Sequence, residues 1–231
     1  METEKENVGM LLVVATPIGN LKDITLRALE VLKLCDVVFA EDTRVSAKLL
    51  AHFEIKKPVF RYDEHSHALS VTKIAKLLVE KKRVVLITDA GTPGIADPGS
   101  RLIAAIHSEL PEVPIVPIPG PSALITLLSV SGMNTEQFTF LGYPPHKKGR
   151  ETFFRKIKEI PVWPVVLYES PHRIVKTFHS IVEQCGEERM VVVGRELTKM
   201  YEEIFRGTAK AALQKFEANV IRGEFVIVIS Q

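Results

Sequence analysis

Two segments of this chain have the composition of a ligand-holding loop. The first, Ile87 to Ile103, leaves an apolar run and packs three glycines and two prolines into the nine residues Gly91 to Gly99. Glycines let backbone approach a bound molecule, prolines hold the shape, and a helix begun near Ser100 presents unpaired N–H groups. An ordinary strand-to-helix turn is the simpler alternative, but the segment is long for one. The second, Pro117 to Leu128, ends a strand, turns at Gly120 and sets Pro121 where a first-turn proline is tolerated. Ser122 and Ala123 then line a crevice at the strand's carboxyl end, the edge where open α/β sheets bind ligands. A plain helix start is the alternative for this piece. Neither loop reads G-x-G-x-x-G, which disfavours a dinucleotide site of the usual kind.

Four carboxylates sit at or just beyond apolar runs with a cation nearby: Glu41 and Asp42 beside Arg44, Glu169 beside Arg173, and Glu196 beside Arg195 and Lys199. A carboxylate so placed can take a proton from a hydroxyl, and the cations can keep it ionised or hold phosphates. A structural ion pair is the alternative for each. Glu41, Asp42 and Arg44 stand first for substrate handling, because three charges within four positions directly after Val37–Ala40 are expensive to cover unless paired or used. His65 and His67, flanked by Asp63 and Glu64, lie in one short segment with no distant partner motif, so no metal site is expected. Lys147, Lys148, Arg150, Arg155, Lys156 and Lys158 are interleaved with Tyr143, Phe153 and Phe154, the mixture that phosphate contact and base stacking require. A solvated helix face is the alternative there.

The elements that must position these residues alternate along the chain. Apolar β-branched runs mark strands near Leu11, Val37, Val84, Pro114, Phe138, Pro164, Met190, Glu202 and Phe225. Amphipathic stretches between them predict helices over Ile24–Cys35, with Asp23 as its cap, and over Ala68–Lys81, Arg101–Glu109, Pro121–Val130, Arg150–Lys158, His172–Gln184 and Ala209–Ala218. Ile24, Leu26, Leu29, Leu32 and Leu34 recur at helical spacing in the first of these. The pattern is that of an α/β protein. Small and polar residues at Ser131–Gln137 suggest two lobes, 1–134 and 135–231, the first with a mainly parallel sheet and the second with a mixed one.

With 231 residues the chain can bury ample core and needs no staples. Cys35 and Cys185 lie in apolar surroundings and read as reduced packing residues. A formal net charge of +2 makes no case for nucleic acid by itself. The amino terminus is acidic and the apolar run Met10 to Ala15 is too short for a signal or membrane segment, so a cytoplasmic protein without membrane contact is expected.

Taken in order, Ala15–Thr25, Phe39–Arg44, Thr88–Gly99, Pro117–Ala123, Tyr168–Ile174 and Gly194–Gly207 resemble the small-subunit ribosomal RNA 2′-O-ribose methyltransferases of the tetrapyrrole methylase superfamily. The resemblance spans nearly the whole chain. It implies a fold of two α/β lobes with S-adenosylmethionine in the cleft between them, and a homodimer. It places the cofactor against Pro17, Ile18, Gly91, Thr92, Pro93, Ile95, Ser122 and Ala123, with Tyr168 and Leu197 from the second lobe. The reaction it implies is methylation of a cytidine 2′-hydroxyl in small-subunit rRNA, naked or in the assembled subunit. Glu41, Asp42, Arg44, Glu169 and Glu196 are the catalytic candidates, and Lys147, Lys148, Arg150, Arg155 and Arg173 the RNA contacts. The chain departs from the family at Ser66, where relatives tend to carry Asn, and it stops at Gln231, before the extension of longer relatives. A tetrapyrrole C-methyltransferase and a non-catalytic RNA-binding protein are the competing readings.

Overall fold

Strict alternation of inward side chains organises the first half of the chain in the computed structural model, which describes residues 9–63, 66–218 and 222–231. The strands are β1 (Met10–Val14), β2 (Val37–Ala40), β3 (Val59–Arg61), β4 (Arg83–Ile87) and β5 (Ile115–Ile118), joined by helices α1 (Leu26–Leu34), α2 (Thr43–His52), α3 (His67–Val79) and α4 (Gly99–Glu109). All the pairings in the sheet are parallel, in the order β3-β2-β4-β1-β5. Leu12, Val14, Val38, Ala40, Val85 and Ile87 point to one face and pack on α1 and α2, whereas Leu11, Val37, Phe39, Val84 and Leu86 point to the other and pack on α3 and α4. Neighbouring strands β1 and β4 therefore send the chain to opposite faces, and their following loops part at the carboxyl edge of the sheet. That is where such sheets open a crevice.

The second half forms its own sheet from β6 (Thr139–Phe140), β7 (Val165–Glu169), β8 (Met190–Arg195), β9 (Glu203–Thr208) and β10 (Phe225–Ile229), in the order β6-β7-β10-β8-β9. β6 and β7 are parallel and the other pairs antiparallel, the mixed sheet expected. Helices α6 (Arg150–Ile157), α7 (Ile174–Cys185) and α8 (Ala209–Glu217) cover one face through Phe154, Phe178 and Phe216. Helix α5 (Ala123–Ser129) packs against β7, β8 and β10. Gly194 on β8 leaves room there, since a side-chain carbon at that position would lie 2.9 Å from both Leu127 and Leu197.

By packing, the chain divides into compact units Met1–Ser122 and Ala123–Gln231. The division falls ahead of α5 rather than in Ser131–Gln137, because α5 lies on the second sheet. The cap of α1 is Thr25, whose hydroxyl accepts from Ala28 N at 3.1 Å, while Asp23 closes a preceding 3-10 turn. Leu26 and Leu34, expected on the apolar stripe of α1, are 80% and 63% exposed, and Ala28, Val31 and Leu32 face the sheet instead. Helix α2 and the short strand β3 are additions to the sequence-based pattern. Both cysteines are free and buried. Among the described residues no helix is long and apolar enough to cross a membrane.

Phe178 is fully buried and stacks on Phe216 with ring centroids 5.4 Å apart. Phe178→Ala removes that ring from the second core and is expected to cost about 3–5 kcal/mol in urea denaturation.

Candidate active site

Three loops leave the carboxyl ends of β4, β1 and β5, and backbone hydrogen bonds tie them into one structure. Thr16 N donates to Gly91 O at 2.9 Å and Gly91 N donates back to Thr16 O at 3.1 Å. The Thr16 hydroxyl, itself buried, donates to Thr88 O at 3.1 Å. On the other side Ala15 N reaches Ile118 O at 3.1 Å, and the Thr92 hydroxyl donates to Pro121 O at 3.2 Å. Gly91 sits at φ +81°, and a side-chain carbon there would stand 3.5 Å from Ile18 and 3.7 Å from Pro121 O. At Gly120 it would come within 3.0 Å of the Ala15 methyl. At Gly120 it is the close approach of Ala15 that calls for glycine, and at Gly91 the positive φ.

Of the residues assigned to the cofactor, the first unit gathers Pro17, Ile18, Gly91, Thr92, Pro93 and Ser122 around this junction. Pro17, Ile18 and Pro93 are buried, whereas Ile95 is 45% exposed. Within the loop, Asp97 Oδ1 accepts from Gly94 N at 2.8 Å and Gly99 N at 2.7 Å, fixing the bend and the first turn of α4 together. Ala123, Tyr168 and Leu197 belong to the second unit. There the Tyr168 hydroxyl accepts from Leu124 N at 3.3 Å, its ring meets Phe140 and Tyr143, and Leu197 packs beside Leu127.

The candidate carboxylates separate by what already holds them. Asp42 caps α2, accepting from Arg44 N at 2.8 Å, and pairs with Arg44 Nη2 at 2.6 Å. The Arg44 side chain, chiefly through its hydrogen bonds, holds the Asp42 carboxyl well below the usual carboxylate range. Glu196, at φ +50°, accepts from Lys199 Nζ at 2.8 Å and Glu224 N at 3.0 Å. Although its partial burial works the other way, these bonds keep its carboxyl more acidic than usual. Gly223, at φ +90°, abuts the Glu196 side chain, which a larger residue there would displace. Glu41 differs. Burial, followed by the charges of Asp89 and Asp97, pushes its carboxyl up despite a hydrogen bond from Thr88. Asp89 is itself pushed up, first by burial, and accepts from Asp42 N at 2.9 Å.

Glu169 lies in the second unit with its side chain fully buried, bound to Arg173 Nη2 at 2.7 Å and to the Thr177 hydroxyl at 2.5 Å. Arg150 completes the group, 3.8 Å from Glu169 and 2.6 Å from the Thr177 hydroxyl. The arrangement bears on Glu169 as a candidate base and on Arg150 and Arg173 as candidate RNA contacts. Glu169 is the centre of an internal ion network without access to a substrate hydroxyl, and Arg150, 4% exposed, does not face solvent. Its Nη1 donates to Pro145 O, as Arg173 Nη1 donates to Pro144 O, so both guanidiniums anchor the loop ahead of α6. The exposed cations of that region are Lys147 and Lys148, displayed before left-handed Gly149, with Arg155 and Lys156 following on α6 and Lys158 at its carboxyl cap.

Glu64 and His65 lie outside the described residues, and His67 Nδ1 bonds to the Tyr62 hydroxyl at 3.0 Å. Residues that pattern reading left without a role include Thr16, Tyr62, Asp89 and Asp97. The signal for the two aspartates was present, since both stand inside the Gly/Pro segment.

Residues 10–213 match the family model of the tetrapyrrole (corrin/porphyrin) methylases. The protein named ribosomal RNA small subunit methyltransferase I of Thermotoga maritima is 42% identical over 224 residues, 96% of this chain and 99% of that one. The protein of the same name from a Synechocystis species is 40% identical over 96% of this chain and 79% of its own length. Among solved structures, a cobalt precorrin-4 methyltransferase superposes with a TM-score of 0.70 at 21% identity, over 96% of this chain and 94% of that one. A diphthine synthase gives 0.70 at 15% identity over 96% and 90%. At those identities the structures establish the shared fold.

The internal network makes a stability prediction. Arg173→Ala strands a buried carboxylate and is expected to cost about 3–5 kcal/mol in urea denaturation, whereas Arg155→Ala on the exposed side of α6 should stay within about 0.5 kcal/mol.

Proposed function

The chain belongs to the tetrapyrrole methylase family and, within it, to the ribosomal RNA small subunit methyltransferase I group, and from that premise we propose that it methylates the 2′-hydroxyl of a cytidine ribose in small-subunit rRNA with S-adenosylmethionine as donor. The observation that carries the reading is the Thr16–Gly91 junction with Glu41 on the same sheet edge. Membership in this methyltransferase family implies a donor of that type. The residues present fit it: Gly91 and Gly120 leave the loop backbone bare of side chains at the junction, and Ile18 and Pro93 supply apolar walls against which adenine and a methionine tail can rest. When bound, the donor supplies an electrophilic methyl group on a sulfonium.

Most of the barrier reduction comes from alignment, worth up to roughly 7–11 kcal/mol in favourable cases. The bracing of the loop by Asp97 and Thr16 serves that end. Of the candidate bases, Asp42 and Glu196 are committed to cations and Glu169 is sealed in the core, which leaves Glu41. Its raised proton affinity suits a group that must accept a proton. The donor would supply the methyl group, its sulfur keeping the electron pair of the carbon–sulfur bond, and Glu41 would take the proton of the ribose hydroxyl that accepts it. Arg44, tied to Asp42 yet 86% exposed, presents a cation to a neighbouring phosphate. In the second unit the exposed Lys147 and Lys148 offer phosphate contacts of their own, which favours RNA over a tetrapyrrole as substrate. The same family membership supports a cytoplasmic homodimer acting on rRNA or on the assembled subunit.

The test is transfer of label from methyl-labelled S-adenosylmethionine to undermodified small subunits, followed by mapping of the nucleotide. Label on a ribose 2′-oxygen is expected, and Glu41→Gln should lower kcat by about 10² to 10⁴ with unchanged donor affinity in calorimetry. Label on a base, or no donor binding, sinks the reading. For the RNA surface, Lys147→Ala with Lys148→Ala should flatten the slope of log binding constant against log salt by about 1.5, at roughly 0.7–0.9 per lost phosphate contact. An unchanged slope in filter binding removes the loop from the RNA interface.

A further inference from the structure

Glu41 shares a pocket of about 10 Å³, room for one water molecule, with Tyr62, Thr88, Asp97 and the backbone of Pro98 and Gly99. Asp97 enters it asymmetrically. Its Oδ1 is saturated by the amides of Gly94 and Gly99, whereas Oδ2 is buried without a hydrogen-bond partner among the described residues. A buried carboxylate oxygen is costly to leave bare, and the two hydrogen bonds on Oδ1 prevent the carboxyl from turning Oδ2 elsewhere. The Tyr62 hydroxyl is spoken for, donating to Pro98 O at 2.9 Å and meeting His67 Nδ1 at 3.0 Å.

We propose that Asp97 is the positioning residue of Glu41: one water in the shared pocket links Asp97 Oδ2 to the Glu41 carboxyl and aims it at the substrate. The inference rests on Glu41 being the base. The groups facing Glu41 are consistent with it from every packed element. The loop after β4 contributes Thr88, Asp89 and Asp97, the end of β3 contributes Tyr62 and Asp63, and next in sequence stands Asp42, whose negative charge is bound to Arg44. Thr88 donates to Glu41, while the surrounding carboxylates oppose its ionisation. Removing the Asp97 charge must therefore make Glu41 more acidic.

Asp97→Asn keeps an oxygen for the two loop amides and deletes the charge. The readout is the side-chain carboxyl of Glu41, followed by carbon-13 NMR of the full chain with labelled glutamate and assigned by its disappearance in Glu41→Gln. In Asp97→Asn the Glu41 midpoint is expected to fall, and the acid limb of the kcat–pH profile to move down with it, at a donor dissociation constant within twofold of wild type. Asp97→Ser, which also retains an acceptor for the loop, gives the same shift if the asparagine variant does not fold. An inactive Glu41→Gln together with a Glu41 midpoint that is unmoved in both Asp97 variants overturns this inference alone. A fully active Glu41→Gln overturns the base assignment, and the inference falls with it.

Discussion

The reciprocal pair of hydrogen bonds between Thr16 and Gly91 is the constraint on which the first unit's chemistry depends. Strands β1 and β4 deliver their loops to opposite faces of the sheet, so without a clasp the two would diverge directly after the last strand residue. Two-stranded pairing over a single residue each is weak by itself. Here it is reinforced by the buried Thr16 hydroxyl on Thr88 O and by the Thr92 hydroxyl on Pro121 O, which bring in the turn after β5. The outcome is a continuous backbone surface with few side chains on it, suited to a ligand recognised by shape and amide groups.

Charge in this protein is sorted by depth. At the sheet edge of the first unit, carboxylates outnumber cations, and one of them, Glu41, is left with an elevated proton affinity. In the second unit the deepest carboxylate, Glu169, is neutralised by two arginines and a threonine hydroxyl. The same residue type therefore keeps an elevated proton affinity in one place and serves as a structural rivet in the other, and the difference lies in the partners rather than in burial alone.

Much of this was legible in the sequence. The strands carry β-branched runs, the helices of the second unit carry clear stripes, and the Gly/Pro loop announces itself by composition. What escaped was set by tertiary partners. Helix α2 turns only Ser46, Leu49 and Leu50 inward, so its apolar signal is faint, and its cap Asp42 reads equally well as a reactive acid. In α1 the leucines that stood at helical spacing were shared between core and surface, because Thr25 starts the helix two residues after the residue taken for its cap. Arg150 and Arg173 look like RNA contacts until the buried Glu169 that claims them is seen. Nothing local distinguishes Asp97 from a loop-bracing aspartate, since its second oxygen acquires meaning only through Glu41, which lies far away in sequence.

The loop ahead of α6 joins a buried anchor to an exposed tip. Arg150 is fixed in the core, Gly149 reverses the backbone in a left-handed turn at φ +82°, and Arg150 N closes back on Lys147 O at 3.4 Å. A mobile cationic arm forfeits conformational freedom when it settles on a polyanion, and that loss subtracts from affinity. A tip whose stem is already immobilised forfeits less. The interior ion network thus extends its influence to the surface, preorganising lysines that it never touches.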